Sequence, residues 1–170
     1  MNGFNIFVYG TLRGGDAASA PGSAGPVDTF DAAGAASAPH ADGSGGTGGS
    51  ATASLMAGCS RVADGTIGGT LYDIEGRFPA LVYYGNDPVR GEVWRCPADL
   101  LLALDEYEGV GSGLFRRIAV EIETDGGEIV PCWVYTAGPA LSRQLTPKNR
   151  IASGIWHPRP RAGDPHAPRR

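Results

Sequence analysis

One low-complexity segment limits how much of this chain can contribute to a folded core. Residues 14–54 comprise 41 residues, of which 28 are glycine, alanine or serine. Val27 and Phe30 are the only large apolar residues of this segment. Such a composition cannot bury enough apolar surface to offset the conformational entropy that is lost on ordering. We therefore predict a disordered insertion over residues 14–54.

The last residues of the sequence are also predicted to lie outside the core. Residues 157–170 contain four prolines and four arginines, a composition typical of a disordered tail. The remaining sequence of residues 1–156, interrupted by the insertion, is predicted to form a single domain of about 115 ordered residues.

Charge and hydropathy argue against two kinds of partner. The formal net charge is −4, and the arginines of the tail are too few to form a basic patch, so we predict no nucleic-acid binding. No apolar run approaches the ~18 residues of a membrane span, and no signal-peptide pattern opens the chain. We therefore predict no membrane association.

The cysteines and histidines limit the chemistry of the core. The three cysteines are widely spaced and lack a Cys-x-x-Cys pair, which predicts reduced thiols and a cytoplasmic protein. All three histidines lie in the insertion or the tail, so the predicted core has none. This excludes Ser-His and Cys-His nucleophilic systems and most zinc sites. A proton-transfer group in the core would then be a glutamate or an aspartate.

The core is predicted to be mostly β-structure with one short helix. Apolar runs and alternating patterns, separated by glycine-rich turns, indicate about six short strands. An Asn86-Asp87-Pro88 turn is predicted between two of them, and an Asp125-Gly126-Gly127 hairpin turn between two others. Short, evenly spaced strands are typical of a small barrel or a strongly curled sheet. The predicted strands are residues 4–9, 66–74, 78–84, 89–96, 117–124 and 128–136, with residues 151–156 closing the fold.

The helix is predicted between Pro97, at the first helical position, and Gly109, just past the end. On a helical wheel Leu100, Leu104 and Glu108 fall on one face, at about 0°, 40° and 80°. Glu106 falls on the opposite face, near ~240°.

Glu108 is therefore a candidate general acid or base. A carboxyl group on an apolar face is desolvated, and desolvation raises its pKa toward neutrality. Two alternatives remain open from the sequence. The side chain at the frayed helix end extends to solvent, or it forms a structural ion pair with Arg116 or Arg117.

The end of the first strand is a candidate binding loop. Gly10, Thr11 and Leu12 follow Tyr9, and free backbone N–H groups after a buried strand can bind an anionic group. An ordinary strand end with a turn glycine is the commoner alternative. The segment is not a phosphate-binding P-loop, because it lacks the GxxxxGK[ST] pattern.

These elements together resemble the gamma-glutamylcyclotransferase-like family, also called the AIG2-like family. The resemblance covers most of the core, and the motifs follow one another in family order. They are Tyr9-Gly10-Thr11-Leu12, Gly69-Thr70-Leu71-Tyr72-Asp73, Phe78-Pro79-Ala80-Leu81-Val82, Gly91-Glu92-Val93-Trp94, Leu104-Asp105-Glu106-Tyr107-Glu108-Gly109, Leu114-Phe115-Arg116-Arg117, Val134-Tyr135 and Ile151-Ala152-Ser153-Gly154-Ile155-Trp156.

The resemblance implies an α+β fold, a small mixed, partly closed β-barrel of about six strands with flanking short helices. It implies an enzyme of the amidine-lyase or acyltransferase type, without metal or cofactor, that converts a γ-glutamyl amine or peptide to 5-oxoproline. Glu108 would be the catalytic acid/base, and Tyr9, Gly10, Thr11 and Leu12 would bind the small-molecule substrate.

Two alternatives belong to other functional classes. The same fold would serve as a non-catalytic module that binds a small ligand or a protein, with Glu108 structural. A nucleic-acid-binding barrel with the arginine-containing tail is disfavoured by the acidic balance. The sequence leaves the leaving amine and the oligomeric state open.

Overall fold

A computed structural model of the chain describes residues 3–9, 56 and 58–157. The predicted insertion, residues 14–54, lies outside the described residues, as does the predicted tail apart from His157. Their predicted disorder stays a prediction.

The described residues contain a six-stranded sheet in the order β3-β1-β5-β4-β2-β6. An additional pairing of β2 with β3 closes five of the strands into a barrel, and β6 is added at the side of β2. Strand β1 pairs with β5 in parallel, whereas the other pairs are antiparallel. The predicted α+β fold with a mixed barrel is therefore confirmed. The strands are β1 (Gly3–Val8), β2 (Ser60–Ile74), β3 (Phe78–Pro97), β4 (Phe115–Thr124), β5 (Ile129–Ala137) and β6 (Arg150–Ile151).

Strand β3 corrects one prediction. The turn expected at residues 86–88 is wrong, because residues 78–97 form a single 20-residue strand. The partner strand β2 pairs Thr70 with Val82 and the preceding Gly69 with Asp87. Residues 83–86 therefore protrude from the sheet as a bulge, in which Gly85 adopts a φ of 101°. A strand can accommodate such extra residues without reversing direction.

The hairpin between β4 and β5 is confirmed. The Thr124 N–H donates to the Glu128 carbonyl at 2.9 Å, and the Gly127 N–H donates to the Thr124 carbonyl at 2.9 Å. Gly127 has a φ of 81°, which glycine adopts without steric cost.

Two apolar clusters explain why the first strand is apolar on both faces. Alternate residues of a strand point to opposite faces. Phe7 packs into one cluster with Leu81, Val93 and Ile122, all from the barrel strands. Ile6 and Val8 join the other cluster, which also contains Leu104, Tyr135 and Leu141. A helix, α1 (Leu100–Tyr107), carries Leu104 and so covers the second face of the sheet.

The cysteines correct a second prediction. The structure joins Cys59 and Cys96 in a disulfide bond, so the prediction of three reduced thiols is wrong. The register explains the pairing, because Ser60 lies opposite Arg95. In an antiparallel pair this brings Cys59, just before Ser60, next to Cys96, just after Arg95. Cys132 is free and buried. The number and the sequence spacing of the cysteines do not reveal how β2 and β3 pair, so they could not predict this disulfide bond.

The last described segment packs back onto the barrel. Two 3₁₀ helices, Pro139–Gln144 and Pro147–Asn149, precede β6, which pairs with Leu71 and Tyr72 of β2. Trp156 is buried in the cluster that contains Phe7. The Arg90 N–H donates to the Gly154 carbonyl at 3.1 Å, which attaches this segment to β3.

Candidate active site

Helix α1 begins later than the sequence indicated. Pro97 is the last residue of β3 and not the first of the helix, which starts at Leu100 after Asp99. The strand extends to Pro97 because β1 continues its pairing to the Gly3–Pro97 position. The predicted end is confirmed, since Gly109 adopts a left-handed conformation with φ 64° and ψ 37°.

The predicted phase of the helix is also confirmed. Leu104 is 0% exposed and Glu108 is 6% exposed. Glu106 is exposed, and Leu102 on the same outer face is 78% exposed. Glu108 therefore points with Leu104 toward the barrel.

The Glu108 carboxyl group has no charged partner among the described residues. Its backbone N–H donates to the Leu104 carbonyl at 2.9 Å, which completes the last helical turn. Burial raises the pKa of Glu108 to about 8. At neutral pH the group is therefore mostly protonated, and a modest rise in pH ionises it.

Both structural alternatives for Glu108 are wrong. The side chain does not extend to solvent. Arg117 instead forms an ion pair with Asp105, at 2.6 Å. The Nε of Arg116 donates to the Thr136 hydroxyl at 3.3 Å. Neither arginine neutralises the Glu108 carboxylate.

Tyr9 directly follows β1 and is within electrostatic range of Glu108. Its hydroxyl donates to the Tyr135 carbonyl at 2.5 Å and accepts from the Leu81 N–H at 3.2 Å. Burial raises the pKa of Tyr9, and the negative charge of Glu108 raises it further. The remaining predicted binding residues, Gly10, Thr11 and Leu12, lie outside the described residues.

A second polar cluster beside Glu108 was not predicted. The Tyr135 hydroxyl donates to Asp105 Oδ1 at 2.8 Å, and Arg117 holds Asp105 Oδ2. The Arg117 guanidinium also lies 4.8 Å from the centre of the Trp133 ring. Burial raises the pKa of Tyr135, and Asp105 and Glu108 add to this effect.

One sequence signal would have found part of this cluster. Asp105 precedes Glu108 by three residues, and residues three apart are neighbours on a helix surface. The β4–β5 register that brings Arg117 opposite Tyr135 is a long-range pairing without a local signature.

Tyr135→Phe is expected to destabilise the fold by about 1–2 kcal/mol, because the Asp105 carboxylate loses a hydrogen-bond donor. The free energy of unfolding from urea titration measures this change. Tyr84→Phe is the control, since Tyr84 is 84% exposed. Equal stability of the two variants would contradict a stabilising role for the Tyr135–Asp105 hydrogen bond.

A separate groove of about 490 Å³ lies away from this cluster. It is bounded by residues 66–68 of β2, by the 83–86 bulge, and by Glu121, Glu123 and Ile129 of the β4–β5 hairpin. Helix α1 and Tyr9 do not contribute to its lining. The groove is therefore distinct from the Glu108 site.

The described residues contain no group of three or more His, Cys, Asp or Glu side chains arranged to hold a metal ion. No described helix is long and apolar enough to cross a membrane.

Comparison with known families assigns the chain. The profile of the family described as "Gamma-glutamyl cyclotransferase, AIG2-like" matches residues 44–158. The chain belongs to this family. The matched region includes α1 with Glu108 and begins after β1, so it does not include Tyr9 or the residues that follow it.

Several solved structures share the fold of this chain. An AIG2-like protein from Mus musculus is 19% identical with a TM-score of 0.51, over 87% of this chain and 82% of that chain. The protein ytfP from Escherichia coli is 25% identical with a TM-score of 0.50, over 89% and 95%. YkqA from Bacillus subtilis is 18% identical with a TM-score of 0.53, over 91% of this chain and only 40% of that longer chain. No curated protein sequence matches the chain.

Proposed function

We propose that this family member is a cofactor-independent γ-glutamylcyclotransferase with Glu108 as its general acid/base. It would convert a γ-glutamyl amine or peptide to 5-oxoproline and the free amine. The observation that carries the proposal is the Glu108 carboxyl group, buried and without a charged partner among the described residues, with a pKa raised to about 8. A general base is most effective when its pKa lies near the working pH.

The proposed reaction needs no nucleophile from the protein. The Glu108 carboxylate accepts a proton from the substrate α-amine, whose nitrogen attacks the γ-carbonyl carbon and closes a five-membered ring. The protonated Glu108 then donates the proton to the leaving nitrogen as the original γ-amide bond breaks. Because the attack is intramolecular, the bound conformation supplies much of the rate, and well-oriented systems reach effective molarities of about 10⁵–10⁸ M.

The two neighbouring phenols favour this role for Glu108. The Tyr9 hydroxyl donates to a backbone carbonyl, and the Tyr135 hydroxyl donates to Asp105. Each phenol has its single proton engaged elsewhere, so neither stabilises the Glu108 carboxylate by a hydrogen bond. An ionised Glu108 is therefore a stronger base than an ordinary carboxylate.

We further propose that the loop after β1 binds the substrate. Backbone N–H groups of Gly10, Thr11 and Leu12 would hold the substrate carboxylate or the oxyanion that develops on the γ-carbonyl. Tyr9 would fix the start of this loop, because its hydroxyl ties it to both β3 and β5.

A panel of γ-glutamyl amines tests the proposal. The panel contains γ-glutamyl amino acids, γ-glutamyl-ε-lysine and γ-glutamyl polyamines, and mass spectrometry quantifies the 5-oxoproline released. The proposal requires release from at least one member of the panel. Tight binding of a member without release would instead support the non-catalytic binding module.

The Cys59–Cys96 disulfide bond removes one argument for the predicted cytoplasmic location. That prediction rested on three reduced thiols, and disulfide bonds such as Cys59–Cys96 are rare in cytosolic proteins. The location stays a prediction.

A further inference from the structure

The groove beside the 83–86 bulge exposes apolar and aromatic side chains. Tyr84 is 84% exposed, Tyr83 is 48% exposed and Ile129 is 58% exposed. All three line the groove. Exposed aromatic side chains along a groove are typical of surfaces that bind proline-rich segments.

The same groove is acidic. Glu121 and Glu123 are two residues apart on β4 and therefore point to the same face, and both line the groove. Neither forms an ion pair with another described residue. The nearby Arg90 is bound to Asp125 by two hydrogen bonds of 2.6 Å. The negative charge of the groove is therefore not neutralised by this arginine.

The sequence after His157 has the complementary chemistry. Residues 158–170 contain four prolines, and four arginines stand against one aspartate. Arg159 and Arg161 are separated by one residue, which corresponds to about 6 Å in an extended polyproline helix. Glu121 and Glu123 are about 7 Å apart along their strand. The two pairs of opposite charges thus have a similar spacing along the chain axis.

The chain that precedes this segment is bonded to Arg90, the β3 partner of a groove residue. The Gly154 carbonyl accepts from the Arg90 N–H at 3.1 Å. Arg90 pairs with Thr66 in the β2–β3 ladder, and Thr66 lines the groove. His157 follows Gly154 by three residues, and the 13 residues after it span about 40 Å when extended. The segment is therefore long enough to cross the groove.

We propose that residues 158–170 bind in this groove of their own chain. The prolines pack on Tyr83, Tyr84 and Ile129, and the arginines pair with Glu121 and Glu123. This intramolecular docking site is independent of the Glu108 site and of the proposed reaction.

A spin label in the full chain tests the proposal. Gly163→Cys provides the attachment point, because Cys132 is buried and the other two cysteines are disulfide-bonded. Amide signals of the 83–86 bulge and of Ile129 are expected to lose most of their intensity through paramagnetic relaxation. The double substitution Glu121→Gln with Glu123→Gln should restore these signals. Glu128→Gln, which removes a nearby charge outside the groove lining, should leave the loss unchanged.

Two results would overturn the proposal. One is that the groove residues lose no signal, or that the rest of the barrel loses signal as strongly as the groove does. The other is a loss that appears only when the spin label and the ¹⁵N label are on different chains, because the groove would then be occupied by a second copy.

Discussion

Glu108→Gln is expected to lower the rate of 5-oxoproline release at least about 10²–10⁴-fold, which is the usual contribution of a positioned acid–base group. Glutamine preserves the volume and the polarity of the side chain but cannot accept the proton of the substrate amine. Substrate binding should survive, because the proposed binding groups are backbone N–H groups of another segment. Calorimetric titration with the best substrate of the panel measures that affinity separately from turnover.

The fold should tolerate this substitution, since it removes a group that is costly to ionise in a buried position. The melting temperature at pH 7 is expected to equal or exceed that of the wild-type protein. Glu106→Gln is the matched control, because Glu106 lies on the exposed face of the same helix. Loss of activity in the Glu106 variant with retention in the Glu108 variant would contradict the assigned role.

The second large effect is a dependence on pH. The base form of Glu108 is required, and its pKa is raised to about 8. The value of kcat/KM should therefore increase at least about tenfold per pH unit below the pKa of Glu108, and ionisation of the substrate amine adds to this rise. A profile that is flat between about pH 6 and pH 9 would contradict a base with this pKa.

A stability measurement separates the protein carboxyl group from the substrate amine, which ionises near the same pH. The pKa of Glu108 is raised by folding from 4.5 to about 8, so the folded state binds the proton more tightly than the unfolded state. The stabilisation from protonated Glu108 is complete below 4.5 and is lost as the pH rises through about 8. Relative to Glu108→Gln, the wild-type protein should lose about 1.4 kcal/mol per pH unit within that window. Parallel stabilities of the two proteins across the window would show that Glu108 is not perturbed.

Local patterns were sufficient to predict which face of the helix carries Glu108. The 3.6-residue period placed Glu108 with Leu104 and opposite Glu106, and the structure has the same arrangement. Gly109 ends the helix as predicted. The residue just past the last turn adopts a left-handed conformation, which glycine adopts most easily. The hairpin between β4 and β5 was recognisable for the same reason, since its glycine lies in a tight turn.

Features that depend on long-range register were not predictable in this way. The Tyr135–Asp105–Arg117 cluster joins two strands and a helix, and its members are up to 30 residues apart. The Cys59–Cys96 disulfide bond depends on the β2–β3 pairing. The turn-like sequence Asn86-Asp87-Pro88 overlaps the end of the 83–86 bulge. Strand β2 nevertheless pairs with β3 on both sides of the bulge, so β3 remains one continuous strand. In each case the partner strand determines the outcome, and a single sequence segment does not contain that information.

The fate of the oxygen atoms in the reaction tests the central claim most directly. The wild-type protein is incubated with its best γ-glutamyl substrate in H₂¹⁸O, and the products are analysed by mass spectrometry. Intramolecular attack by the α-amine predicts 5-oxoproline without ¹⁸O, formed in equal amount with the free amine. Glutamate that carries ¹⁸O would show that water is the nucleophile, and it would contradict cyclisation assisted by Glu108.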